Sequence, residues 1–166
     1  MKLRLVQIFA IVFLLASCGG SGSSETESTT EEMTTETVQE DVPAAVSLEL
    51  SSNDQMQYDQ AQLRVKSGQE VTLTLTHTGQ MDKAVMGHNF VLLKKGTDVA
   101  GFATDAIAAA DNEYIPESDA IIAYTGLIGG GESVSVTFTA PEAGIYDYIC
   151  SFPGHYSIMR GKFLVE

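Results

Sequence analysis

The chain has 166 residues, with 22 acidic against 9 basic side chains, two Cys, no Trp and a formal charge of −13. That length accommodates one domain with appendages. The acidic balance argues against a nucleic-acid partner, because phosphate recognition needs clustered Lys and Arg, and two Cys cannot build a disulfide-dense scaffold.

Residues 1–17 read as an address. Lys2 and Arg4 precede Leu5 to Ala16, which is apolar except for Gln7. The run is about 12 residues, short of the ~20 that a membrane-spanning helix needs, and a basic start before a short apolar run is the pattern of a secretory signal peptide. It ends Leu15-Ala16-Ser17-Cys18-Gly19-Gly20. This resembles the bacterial lipoprotein signal, which implies that Cys18 becomes the lipidated first residue of the mature protein. Acyl chains contribute ~0.8 kcal/mol per buried CH₂, so two or three of them hold a protein firmly on a membrane. An ordinary signal peptide cleaved nearby is the alternative.

Residues 18–44 combine Cys18 with a Gly/Ser/Thr/Glu linker. The linker carries Glu25, Glu27, Glu31, Glu32, Glu36, Glu40 and Asp41 and no Lys or Arg. Such a stretch buries too little apolar area to offset its ordering entropy, so disorder and self-repulsion are expected. Its root-mean-square span is on the order of 30 Å. It reads as a spacer that lets a globular head range above a membrane.

The head, residues 45–166, carries 15 acidic and 7 basic residues and is large enough to bury a core without disulfides. Its predicted strands are Val46 to Leu50, Ala61 to Lys66, Val71 to Thr76, Asn89 to Leu93, Val134 to Thr139, Gly144 to Cys150 and Lys162 to Val165. Most alternate apolar with polar residues. Ser67-Gly68, Gly129-Gly130-Gly131, Pro141 and Ala143-Gly144 are turn signals between them. Many short strands at this spacing predict an all-β antiparallel sandwich. The Ala-rich stretch from Asp98 to Ala110 predicts one short helical insertion, ending near Asp111-Asn112.

Chemistry concentrates in Cys150-Ser151-Phe152-Pro153-Gly154-His155-Tyr156-Ser157-Ile158-Met159. One loop at a strand end offers a thiolate, an imidazole and a thioether, and His88 stands upstream in Met86-Gly87-His88-Asn89. Two His, one Cys and a weak axial Met are the ligand types of a blue-copper site. Thiolate suits Cu(I), and imidazole serves both oxidation states. Pro153 and Gly154 suit a tight return of His155, and Pro has no N–H to compete for the sulfur. The backbone N–H groups of Asn89 and Phe152 are expected to tune the potential through that sulfur. Taken singly, a strand-end Cys is usually a buried hydrophobe and a Met core filler; the spacing Cys-x4-His-x3-Met after an upstream Gly-His is the specific signal.

The head resembles the azurins, bacterial cupredoxins, in Asn53 to Tyr58, Val85 to Leu92, Leu127-Ile128-Gly129 and Cys150 through Val165. The resemblance spans essentially all of 46–166. It implies an eight-stranded Greek-key sandwich with a helical flap and one copper ion cycling between Cu(I) and Cu(II). It carries the ligands onto His88, Cys150 and His155, with Met159 as the long axial ligand and the Gly87 carbonyl as a weak axial contact. His77 falls on a family His that makes the potential pH-dependent; a strand-end His hydrogen-bonded to a neighbour is the alternative. The chain departs from the family at Phe90, where a buried Trp is usual, and at Tyr124, where a His is usual. It also departs at Val46 and Gly68, the aligned positions of a family disulfide, and loss of that staple implies a stability lower by ~2–5 kcal/mol.

The resemblance further implies that His155 is the electron port, within an apolar docking patch of Met56, Met86, Phe152, Pro153 and Gly154. Such patches mark docking surfaces, and redox encounters are small and transient. The leading expectation is therefore a one-electron carrier and not an enzyme. It would be exported and lipid-anchored, with its head in the periplasm or at the cell surface, and its partners would be cytochromes, reductases or oxidases. Copper delivery, storage or sensing is the alternative, although storage favours several thiolates or Met-rich clusters. An enzyme with Cys150 as nucleophile and His155 as base leaves His88 and Met159 without a role. Zinc accepts Cys and His, but Met159 is a poor zinc ligand, which favours copper.

Overall fold

The computed structural model describes residues 44–166; the expected signal segment, Cys18 and the linker through residue 43 lie outside them. Nine strands form two sheets: β1 Val46–Asn53, β2 Gln57–Tyr58, β3 Gln62–Val65, β4 Glu70–His77, β5 Val91–Leu93, β6 Ile121–Tyr124, β7 Ser133–Thr139, β8 Gly144–Ile149 and β9 Arg160–Val165. The first sheet has the order β2-β1-β4-β7 and the second β3-β9-β8-β5-β6. β2 is a two-residue return of β1 around a turn, pairing Ser52 with Tyr58 and Asn53 with Gln57.

The alternation that predicts strands here also predicts which side chains face inward. On β4, Val71, Leu73 and Leu75 are fully buried while Thr72, Thr74 and Thr76 face outward, each bonded through its hydroxyl to Thr137, Ser135 or Ser133 of β7. Leu50, Leu63, Phe90, Leu92, Tyr148 and Phe163 complete the core between the sheets. Phe90, at the position of the family's Trp, is wholly buried and packs on the Tyr148 ring at 5.4 Å.

The sheets are mixed, which corrects the antiparallel expectation. β1 pairs parallel with β4, and β3 pairs parallel with β9. After the short β1–β2 return the chain crosses from one sheet to the other before β3, so β1 and β3 find their parallel partners far along the chain. Alternation reports which face is buried, not which strand lies alongside.

The helical insertion is α2, Val99–Ala108, followed by a 3-10 turn at Ala110–Asn112. Asp98 caps it, accepting the Ala100 N–H at 3.1 Å. Phe102 from this helix, with Ile115, covers Val91, Leu93 and Ile149 on the outer face of the second sheet. β5 is therefore buried on both faces and reads in sequence as a continuous apolar run. A second helix, α1 Lys83–Met86, is only one turn long and was not expected; Asp82 caps it through Ala84 N at 2.8 Å.

At the positions of the missing disulfide, Val46 opens β1 opposite Val71, and Gly68 sits in a turn with φ of +75°. Beside them Gln69 Nε2 donates to the Ala44 carbonyl at 2.8 Å, which ties the start of the domain to the β3–β4 turn.

Candidate metal centre

The ligand loop is the mouth of the β8–β9 hairpin. Ile149 pairs with Arg160, and one step on the Cys150 N–H donates to the Met159 carbonyl at 3.0 Å. The spacing of Cys150 and Met159 thus sets them opposite one another where the hairpin opens. Inside the loop His155 N–H bonds to the Phe152 carbonyl at 3.0 Å and Met159 N–H to the His155 carbonyl at 2.8 Å. Gly154, with φ of +83°, makes the turn that side chains with a Cβ disfavour. His88 enters from the other side of the end, held by a two-way backbone bridge with Ile128 at 2.9 Å in each direction.

These elements bring one ligand atom each from His88, Cys150 and His155 within 4.8 Å of one another, all three residues being buried. Cys150 Sγ lies 3.6 Å from His155 Nδ1 and 3.9 Å from the Gly87 carbonyl oxygen. Gly87 has no room for a side chain, since a Cβ there would stand 2.5 Å from the Lys83 carbonyl oxygen and 2.7 Å from Leu127 Cδ2. Met159 is wholly buried.

His88 carries its own indication of a missing partner. Its Nε2 donates to the Asn53 carbonyl at 2.9 Å, which leaves Nδ1 unprotonated. That Nδ1 is buried and has no hydrogen-bond partner. A buried acceptor without a partner is costly, and a metal ion beside Cys150 and His155 satisfies it. The same side chain bonded outward and bare inward is the usual state of a ligating His.

Electrostatics agree with a set of neutral imidazoles around a thiol. Burial, then the neighbouring His77, lowers His88 to about 4. The same causes lower His155. Burial raises the Cys150 thiol to about 12, while hydrogen bonds from the backbone N–H groups of Asn89 and Phe152 pull the other way. The Asn89 side chain ties the two halves of the site: Oδ1 accepts the Ser151 N–H at 2.9 Å and Nδ2 donates to Ser151 Oγ at 2.8 Å. The Tyr58 hydroxyl in turn donates to the Asn89 carbonyl.

A family profile described as "Copper binding proteins, plastocyanin/azurin family" matches residues 44–166. The chain belongs to the plastocyanin/azurin family of copper-binding proteins. Among its relatives, Azurin-1 of Alcaligenes xylosoxydans xylosoxydans is 44% identical over 124 residues, covering 71% of this chain and 95% of that protein. The azurin of Pseudomonas chlororaphis is 43% identical over 131 residues, covering 74% of this chain and all (100%) of that protein. The outer membrane protein H.8 of Neisseria meningitidis serogroup B is 44% identical over 117 residues, 68% of this chain and 63% of that longer protein. Among solved structures, auracyanin A, a "blue" copper protein of Chloroflexus aurantiacus, superposes with a TM-score of 0.67 at 38% identity, covering 74% of this chain and 99% of that one. In this cupredoxin the His88, Cys150 and His155 cluster fits one copper ion.

Around the centre, His155 is 3% exposed, against 0% for His88, Cys150 and Met159. Phe152 packs tilted against its ring at 4.7 Å, and Tyr114 stands edge-on to Phe152 at 5.1 Å. Of the expected patch, Met56, Met86, Phe152 and Pro153 are half-buried and Gly154 is exposed. Sequence reasoning missed Met81 and Val85, exposed apolar residues beside and on α1 (41% and 60%), because one helical turn has no periodicity to read. It also missed Tyr114 and Glu113, which follow the 3-10 turn. His77 is fully buried, edge-on to His88 at 4.3 Å, with Nε2 3.2 Å from Asp54 Oδ1. Neither of its ring nitrogens has an aligned hydrogen bond, and its polar contact is the approach of Nε2 to the Asp54 carboxylate. Tyr124, where the family has a His, is 48% exposed on edge strand β6.

Proposed function

We propose that the protein is a one-electron carrier working through a type 1 blue-copper site and held to a bacterial membrane by lipid on Cys18. The observation that carries the electron-transfer reading is the buried His88, Cys150 and His155 cluster with an unpartnered His88 Nδ1. Bound copper supplies the Cu(II)/Cu(I) couple. His88 Nδ1, Cys150 Sγ and His155 Nδ1 would hold the ion, with Met159 and the Gly87 carbonyl as weaker contacts. Asn89 and its clasp on Ser151 hold the His88 and Cys150 segments at fixed separation, which suits a couple that must change charge with little rearrangement. The backbone N–H groups of Asn89 and Phe152 stabilise the sulfur's negative charge and thereby tune the potential.

His155 is the least enclosed of the donors, and its edge is the electron port. Met56, Met86, Phe152, Pro153 and Gly154, joined by Met81 and Val85, form the docking face for a redox protein such as a cytochrome, reductase or oxidase. A nucleophilic role for Cys150 is disfavoured by its burial and raised pKa, the reverse of the accessible, low-pKa thiol such chemistry uses. Export and membrane attachment rest on the segment before Cys18 and on the likeness to an outer membrane protein.

Adding Cu(II) to the metal-free protein is expected to give an intense blue thiolate-to-copper absorption that Cys150→Ser abolishes. A colourless wild type, or an equally blue variant, would refute the copper assignment. Labelled palmitate is expected to enter the precursor expressed in a bacterium, and Cys18→Ser to prevent it; equal labelling of both would refute the anchor.

A further inference from the structure

Glu113 and Tyr114, at the end of the helical flap, both have left-handed backbones, with φ of +52° and +64°. Two such residues in succession, neither of them glycine, are an unfavourable turn that the surroundings must hold in place. The turn sends the Glu113 carboxylate towards two distant segments. Oε2 accepts the Leu127 N–H at 2.9 Å, and Oε1 accepts from Lys83 Nζ at 3.1 Å. Acceptance of the Leu127 N–H, and then the bond from Lys83, holds this carboxyl below its ordinary pKa.

Leu127 and Lys83 are the two walls of the slot that contains Gly87. A Cβ on Gly87 would meet the Lys83 carbonyl oxygen at 2.5 Å on one side and Leu127 Cδ2 at 2.7 Å on the other. The carbonyl of Gly87 is the group 3.9 Å from Cys150 Sγ. Glu113 also offers its own carbonyl to Asn89 Nδ2 at 3.4 Å, so it touches the clasp on the cysteine side as well.

We propose that Glu113 is a positioning residue for the metal centre: its carboxylate clamps the Lys83 and Leu127 walls around Gly87 and so sets how closely the Gly87 carbonyl approaches the metal. The inference rests on the reading of that carbonyl as a weak axial contact. The Lys83 pair is exposed at both ends, 48% and 46%, and exposed pairs contribute little; the bond to Leu127 N–H is the working half of the clamp.

The test uses the full chain, copper-loaded and metal-free, with Glu113→Ala, Glu113→Gln, Lys83→Ala and Leu127→Ala. Glu113→Ala is expected to change the relative intensities of the thiolate-to-copper bands and to shift the potential. Glu113→Gln, which keeps an acceptor for Leu127, and Lys83→Ala are expected to retain the wild-type band pattern. In the metal-free protein the His88 amide is expected to exchange on the order of fivefold faster in Glu113→Ala than in Glu113→Gln. An unchanged band pattern in Glu113→Ala overturns the proposal, as does an equal change in Glu113→Gln, which would assign the effect to charge. If Glu113→Ala does not fold, Leu127→Ala removes the wall directly, and an unaltered band pattern there overturns the clamp. If the wild type takes up no copper, the carrier reading fails, and the metal-free exchange rates alone decide the clamp: equal rates in the two Glu113 variants overturn it.

Discussion

Without metal, the ligands are held in protonation states that burial selects and solvent would not. His88 stays neutral down to about 4, whereas an unfolded His takes up its proton near 6.5. The unfolded chain therefore binds more protons than the folded one between those values, and stability falls as the pH drops through that window. The loss from His88 is about 3 kcal/mol by the time its folded pKa is reached. Cys150 acts at the other limit. Its thiol stays protonated up to about 12 in the fold against an ordinary value of 9.0, so stability falls as pH rises above 9. Urea unfolding of the metal-free protein should accordingly show greatest stability between roughly pH 6.5 and 9, and His88→Gln should flatten the acid limb. Copper uptake must expel the thiol proton, so apparent affinity should rise about tenfold per pH unit near neutrality. Competition between copper and a colorimetric chelator at several pH values measures that slope; a slope of zero would show that the thiol is not a ligand.

At the scale of the elements, the flap is a cover with a second duty. Phe102 fills the apolar layer beneath α2, and Phe102→Ala should cost about 3–5 kcal/mol, read as a lower urea midpoint with little change in the slope. Because the chain runs from α2 through the 3-10 turn to Glu113 and Tyr114, loosening Phe102 should also broaden the copper absorption bands. The strands show what can be read from one sequence. β4 and β7 alternate cleanly and are legible almost to the residue. β6 was not foreseen: Ile121-Ile122-Ala123-Tyr124 is a short edge strand without alternation, and its identity comes from pairing with β5. Cys150, His155 and Met159 were legible as candidates because they lie in one hairpin mouth, where sequence spacing maps directly onto space. Glu113 was not, because its partners Leu127 and Lys83 are 14 and 30 positions away and meet it only through the fold.

For the molecule as a whole, the core lies within residues 44–166, and a chain beginning at Ala44 should fold, unfold in one cooperative transition and turn blue with Cu(II) like the full chain. Failure of that fragment to bind copper would show that the linker contributes to the site. The domain also has a direction. β1 leaves Ala44 beside the β3–β4 turn and runs its eight residues to Asn53, whose carbonyl accepts the His88 ring N–H. At about 3.3 Å per residue, that strand carries the chain some 25 Å along the sandwich. The start of the described residues and the His88 end of the domain are thus at opposite poles. On the proposed tether, any tension carried along the chain would enter the domain through Ala44, at the pole remote from His88.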